Sequence, residues 1–196
     1  MVIQEDLLIT FGADIIQLQK SELLFEENTA PAYYFQIKTG KVKLTNFQTE
    51  KREFIQSIHQ EGDSVGEIFL FSKYQYPVHA VLMEDSTVLR LEHSKLLKLL
   101  ESDFEIQMKF LYYLADRSYH SCIFLNSLTS EDATHQLLTV LNHIKGNHGE
   151  HYSYKIPYTR KELAFLTGLR IETVIRTFKK MEHEKLIKII KGRVYY

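Results

Sequence analysis

Residues 159–176 read Thr159-Arg160-Lys161-Glu162-Leu163-Ala164-Phe165-Leu166-Thr167-Gly168-Leu169-Arg170-Ile171-Glu172-Thr173-Val174-Ile175-Arg176. Thr159 and Glu162 make a Thr-x-x-Glu capping box, so a helix starts here. Leu163, Ala164 and Leu166 supply its apolar face, and Thr167-Gly168-Leu169 breaks it. Small Ala164 lets a second helix approach, and Gly168, four residues on, takes a left-handed turn without steric cost. The second helix is predicted from about Ile171 to Glu184, with Val174, Phe178 and Met181 inward. Its outer face carries Arg170, Glu172, Thr173, Arg176, Lys179 and Lys180. Arginine pairs with guanine O6 and N7, and glutamate accepts from cytosine N4, so these types suit groove reading. Thr173 and Lys180 suit phosphate. Thr159 and Arg160 join them as candidate DNA contacts. Leu186–Ile190 and Val194–Tyr196, around Lys191-Gly192-Arg193, read as a terminal β-hairpin that offers Arg193 to the DNA backbone as a wing. The alternative for the same residues is a solvated helix face on a small helical domain.

The charge distribution favours the first reading. The 196 residues carry a formal net charge of -1. Residues 1–130 hold 12 Lys+Arg against 18 Asp+Glu, whereas residues 131–196 hold 12 against 7. An acidic body with a basic end directs that end at a polyanion. The 44% apolar and 25% charged residues are those of a globular chain and exclude a disordered tail or a fibrous repeat. There is no run of about 18 apolar residues, so no membrane span is expected. Met1 to Asp6 carries acid where a signal peptide needs base, so the cytoplasm is the expected compartment. Cys122 is the one cysteine, which rules out an internal disulfide and a four-cysteine zinc or iron–sulfur site.

Glycine and proline are absent from Ser94 to Leu128. Ser94 is read as the cap of a short helix through Glu101, and Asp103 as the cap of a long one over 103–128. In the long helix Phe104, Met108, Leu111, Ala115, Ser118, Cys122 and Leu125 recur at alternating spacings of four and three, an a/d seam. Ile106, Phe110, Tyr113, Arg117, His120 and Phe124 make a second row. Two usable faces allow packing on the chain's own body and on a partner. The first seam is read as a dimer contact, with Ala115, Ser118 and Cys122 small enough for close approach. The other possibility is a core helix with one broad buried stripe. Residues 7–92 read as β-structure. Tyr33–Ile37 and Val42–Leu44 look like a hairpin about Lys38-Thr39-Gly40-Lys41. Phe54–Ile58, Val78–Leu82 and Thr87–Leu91 follow as further short strands. This spacing suggests a barrel, sandwich or roll.

On these residues the chain resembles the cyclic-AMP-receptor/fumarate-nitrate-reduction (Crp/Fnr) family of bacterial transcription regulators. The resemblance rests on Glu61-Gly62-Asp63-Ser64-Val65-Gly66-Glu67-Ile68-Phe69-Leu70-Phe71, on the long helix, and on Leu163 to Ile187. It implies an α+β fold: a β-roll sensor domain of the cyclic-nucleotide-binding, jelly-roll kind over 1–102, a dimerisation helix over 103–128, and a winged helix-turn-helix over 129–196. It also implies a homodimer that is not an enzyme and binds an inverted repeat in double-stranded DNA. RNA polymerase is a further partner open to such a regulator, and the small-molecule effector stays unnamed. The family's recognition helix contains Arg-Glu-Thr-Val-x-Arg. Here the run is Ile171-Glu172-Thr173-Val174-Ile175-Arg176, so the base-reading roles carry over to Glu172 and Arg176. The first arginine is replaced by Ile171, with Arg170 one position earlier.

In members that bind cyclic nucleotide, a Gly-Glu pair precedes an Arg-Ser or Arg-Thr pair. The glutamate holds the ribose hydroxyl and the arginine neutralises the phosphate. Gly66-Glu67 match, but the arginine position falls on Pro77 and the next on Val78. Proline has neither charge nor an N–H, and a buried phosphate without a cation is costly. Gly66, Glu67, Pro77 and Val78 are therefore the candidate effector pocket. Cyclic AMP is not the expected effector, and Glu67 is expected to be structural. The iron–sulfur branch of the family needs several N-terminal cysteines, and this chain has Cys122 alone.

No cofactor and no metal are expected. His59, His79 and His93 are haem candidates without other support, and His143, His148 and His151 read as solvated side chains about a glycine loop. A β-barrel metalloenzyme needs clustered ligands on strands, and no His-x-His occurs. The remaining alternative, an effector-binding β-roll module without specific DNA binding, explains residues 1–128 and leaves the basic end unexplained.

Overall fold

The computed structural model describes residues 2–48, 52–72, 74–128, 130, 132–146 and 152–196. It falls into two units, Met1–Asp116 and Arg117–Tyr196. The first runs α1 (Glu5–Thr10), β1 (Asp14–Leu18), β2 (Leu23–Phe25), β3 (Tyr33–Thr39), β4 (Lys41–Gln48), β5 (Arg52–Gln60), β6 (Ser64–Val65), α2 (Glu67–Leu70), β7 (His79–Leu82), β8 (Ser86–Glu92), α3 (His93–Ser102) and α4 (Phe104–Leu128). The division between the units lies inside α4.

The eight strands form two antiparallel sheets, in the orders β1-β8-β3-β6 and β2-β7-β4-β5. One core lies between them. Phe35, Ile37 and Val88 enter it from the first sheet, and Phe25, Val42, Leu44, Ala80 and Leu82 from the second. Of the three all-β possibilities, the structure is the roll. The first sheet is buried on its other face too, where Tyr34, Leu89 and Leu91 meet Leu8 of α1, Leu96 and Leu99 of α3, and Phe110 of α4. Gln36 is buried there, and its side chain receives Ile3 N (3.0 Å) and Tyr34 OH (2.8 Å) while donating to Ile3 O (2.8 Å). The polar side chain is tolerated because both its amide oxygen and its amide nitrogen have partners within the fold.

Three local expectations change. The stretch from residue 7 begins as helix α1, because Leu8 fills the space under α3. The expected hairpin of 33–37 with 42–44 does not form. β3 pairs with β8 and β6, and β4 pairs with β5 and β7. Gly40 is a corner that carries the chain from one sheet to the other, at φ +101°. β3 is buried on both faces from Tyr34 to Ile37, with Gln36 satisfied by hydrogen bonds, and belongs to the inner sheet, whereas β4 alternates and has one covered face. Ser94 lies inside α3, whose N-cap is Glu92. Asp103 does cap α4, with Oδ1 accepting from the amides of Glu105 (2.9 Å) and Ile106 (3.2 Å).

The second unit holds the rest of α4, then α5 (Ala133–Lys145), α6 (Arg160–Thr167), α7 (Ile171–His183), β9 (Lys188–Ile190) and β10 (Arg193–Tyr195). His148 and His151 lie outside the described residues. Asp132 caps α5 through Thr134 N, 2.9 Å. Leu137, Leu141, Leu163, Val174, Phe178 and Met181 are all buried and knit the three helices together. Residues 154–156 add a third strand-like segment to the hairpin, with Ile156 N donating to Val194 O at 2.9 Å and Tyr196 N to Tyr154 O at 3.0 Å. Two bonded residues beside Pro157 give no alternation to read, so sequence reasoning missed this segment. Among the described residues no helix is long and apolar enough to cross a membrane.

Candidate functional site

The helix-turn-helix is built as its sequence dictates. Thr159 Oγ1 accepts from Glu162 N at 3.2 Å, and Glu162 Oε2 accepts from Thr159 N at 2.6 Å, completing the capping box. Gly168 ends α6 in the left-handed region at φ +69°. Thr159→Ala removes an exposed cap and nothing from the core. It is expected to cost about 1 kcal/mol of stability, read as a lowered denaturation midpoint of the DNA-binding unit. An unchanged midpoint would mean that the cap contributes nothing to the unit's stability.

α7 buries Val174, Thr177, Phe178 and Met181 and turns Glu172, Ile175, Arg176, Lys179 and Lys180 outward. Glu172, Arg176 and Lys179 fall on one stripe at helical spacing. Thr173 is half-buried and Arg170 is the exposed N-cap residue, so neither shares that stripe fully. Lys180 lies 3.9 Å from Glu184, an exposed pair one turn apart. The hairpin turn Lys191-Gly192 has positive φ at both residues, +47° and +76°, as a two-residue type I′ connection requires. Arg193 follows it, exposed.

Arg160 is placed differently from the other candidates. It is half-buried, its guanidinium donates to Gly192 O at the wing turn, and it stacks over the Phe178 ring at 5.8 Å. Burial and the neighbouring Arg193 charge push its pKa down. Arg160 thus ties the start of α6 to the wing, a positioning role the sequence did not suggest.

Along α4, Phe104, Leu111 and Leu125 are 73%, 54% and 61% exposed, and Ala115, Ser118 and Cys122 are exposed as well. Met108 is half-buried. The second row faces inward: Phe110 is buried, Tyr113 OH accepts from Ser64 N at 3.3 Å, and His120 meets His143 of α5.

In the roll, Gly66 opens α2 at φ +73°, and a Cβ there would lie 2.7 Å from Phe25 and 3.3 Å from Tyr76. Glu67 is buried, and its charge adds to burial in raising the Tyr34 phenol well above its ordinary pKa. Pro77 is exposed, its carbonyl accepting from Asn46 Nδ2 at 2.8 Å. Val78 belongs to the core between the sheets. The side chain beside Gly66 is Tyr76, stacked on Phe25 at 3.8 Å and edge-on to Phe69. Burial pushes the Tyr76 phenol up to about 12. His59 is buried with Nε2 2.8 Å from Ser57 Oγ, His79 sits between the amide and the carboxylate of Glu27, and His93 packs edge-on against Phe71. Among the described residues no group of three or more His, Cys, Asp or Glu is arranged to hold a metal ion.

Comparison with known proteins covers both units. The model of the cyclic nucleotide-binding domain matches residues 15–103, and that of the Crp-like helix-turn-helix domain matches residues 109–195. The cAMP-activated global transcriptional regulator CRP of Salmonella typhimurium is 28% identical over 174 residues, which is 86% of this chain and 81% of that protein. The fold is shared with FixK2 from Bradyrhizobium japonicum, at 21% identity and a TM-score of 0.77 over 93% of this chain and 91% of that one. A CooA variant from Carboxydothermus hydrogenoformans aligns at 18% identity and a TM-score of 0.80, over 98% of this chain and 86% of its own. The two matched domains nearly abut, in the order that the helix-turn-helix, the long helix and the roll have already established, and the chain belongs to the Crp/Fnr family of DNA-binding transcription regulators.

Proposed function

We propose that this protein regulates transcription as a homodimer, paired along α4 and reading an inverted repeat with α7, in response to something other than cyclic AMP. The observation that carries the DNA reading is the stripe Glu172, Arg176 and Lys179, exposed on the second helix of a capped helix-turn-helix beside a wing. Glu172 and Arg176 read base edges, and Lys179, Lys180, Thr173, Arg170 and Arg193 hold phosphates. Thr159 and Arg160 frame the wing and the first turn. A two-fold axis sets the half-sites about one helical turn apart. Met108, Leu111, Ala115, Ser118, Cys122 and Leu125 form the pairing face, and RNA polymerase is a further partner on promoter DNA. Every one of these contacts belongs in the cytoplasm, and none requires a reaction to be catalysed.

The effector reading rests on Tyr76. The CRP relative is named as activated by cAMP. A cyclic phosphate beside Gly66-Glu67 needs a cation, and the side chain there is an aromatic ring stacked on another. A phosphate placed against Tyr76, Phe25 and Val78 meets apolar surface and the Glu67 carboxyl, and its desolvation goes uncompensated.

Selection of duplexes from a randomised pool, without added effector, tests the function. Enrichment of an inverted repeat supports it, and a steep fall of affinity with salt identifies the phosphate contacts. A folded dimer that enriches nothing, with and without cell extract, overturns it. Arg176→Ala is expected to lose about 1–3 kcal/mol of specific binding and to relax preference at one base position. Unchanged selectivity in the same selection removes Arg176 from base reading.

A further inference from the structure

His120 of α4 and His143 of α5 meet within the second unit. Their Nδ1 atoms are 3.3 Å apart and their ring centroids 4.9 Å apart, with the planes inclined at 56°. Two rings pointing head-on at each other would add a ring radius at each end and set their centroids further apart than this. The rings instead meet at an angle, with the two Nδ1 atoms as their point of approach. A tetrahedral zinc with Zn–N of about 2.0–2.1 Å needs donor nitrogens about 3.3–3.4 Å apart. The pair has that spacing. His143 is exposed and His120 half-buried, which leaves room for water on the outer side of such an ion.

We propose that His120 and His143 form a two-histidine chelate for a divalent borderline cation, zinc, copper or nickel, joining α4 to α5. Imidazole donors suit these metals above magnesium or calcium. In the neutral pair one Nδ1–H donates to the other Nδ1. When the ion enters, the donor ring carries its proton on Nε2 instead, both Nδ1 lone pairs face the metal, and no redox change occurs. The protein supplies two ligands and water the others. The ion sits on the α4 row opposite the exposed seam and fixes that helix to the one that carries α6 and α7 in its core. Neither Cys122 nor any of the candidate DNA contacts takes part.

The test uses the full-length protein after chelator treatment, titrated calorimetrically with Zn²⁺ alone. One ion per protomer is expected. His120→Gln and His143→Gln are each expected to weaken binding by about tenfold or more. The double variant His148→Gln/His151→Gln is the control and is expected to bind as the parent does. Cu²⁺ provides a second readout, because its electron paramagnetic resonance spectrum counts coordinated nitrogens: two in the parent, one in either single variant. The proposal is overturned if both single variants bind Zn²⁺ like the parent, if the control pair abolishes binding, or if Cu²⁺ shows the same nitrogen count in all proteins.

Discussion

Leu111→Asp is expected to sediment as a monomer of 23.1 kDa at concentrations where the parent, as the proposed homodimer, is expected at twice that mass. Leu111 is 54% exposed in the single chain, so the substitution removes little from the fold of one protomer. In the proposed dimer each leucine on the seam would be covered, and each would contribute about 2 kcal/mol. A two-fold axis counts the loss twice, and each aspartate must also lose water on pairing. The sum exceeds about 5 kcal/mol, more than a thousandfold in the dimer dissociation constant. Binding to a single half-site survives while binding to the full inverted repeat falls steeply. The denaturation midpoint of the monomer stays near that of the parent extrapolated to low concentration. A dimer mass unchanged by the substitution would place the pairing face elsewhere.

Gly40→Val is expected to destabilise the roll by about 4 kcal/mol, from backbone strain and overpacking together. Gly40 has φ +101°, a region that β-branched residues scarcely enter. A Cβ there would lie 2.1 Å from Ser86 Oγ and 2.9 Å from Ser86 Cα, so backbone as well as side chain must give way. Chemical denaturation followed by far-ultraviolet circular dichroism measures the loss. A midpoint within experimental error of the parent would show that the corner relaxes freely. DNA affinity of the folded fraction is expected to hold, because α6, α7 and the wing belong to the other unit.

That corner also marks where sequence reading reaches its limit. Lys38-Thr39-Gly40-Lys41 has the composition of a hairpin turn, and local chemistry alone cannot say whether the next strand folds back beside its predecessor or crosses to the opposite sheet. The choice is made by β8, which supplies β3 with a partner from fifty residues away. The same holds for Tyr76. Its stacking on Phe25 depends on a contact across some fifty residues that no spacing rule encodes. Where the deciding interactions are local, the reading is close to residue level. The capping box at Thr159 and Glu162, the break at Gly168, the inward set Val174, Phe178 and Met181, and the Asp103 cap all depend on neighbours within a turn or two. The pairing of His120 with His143 again joins two helices, and neither histidine stands out in its own segment.

β3 and β8 are covered on both faces, by the second sheet on one side and by α1, α3 and α4 on the other. Their amides can meet solvent only when the whole roll opens, so on the timescale of a signalling event this strand pair is a fixed reference frame. β4 and β5, with one face outward, and the short β2 have far fewer layers above them. β8 runs on into α3 and α3 into α4, so the best-protected strands of the roll lie directly upstream of the long helix, and displacement within the roll is easiest at its periphery.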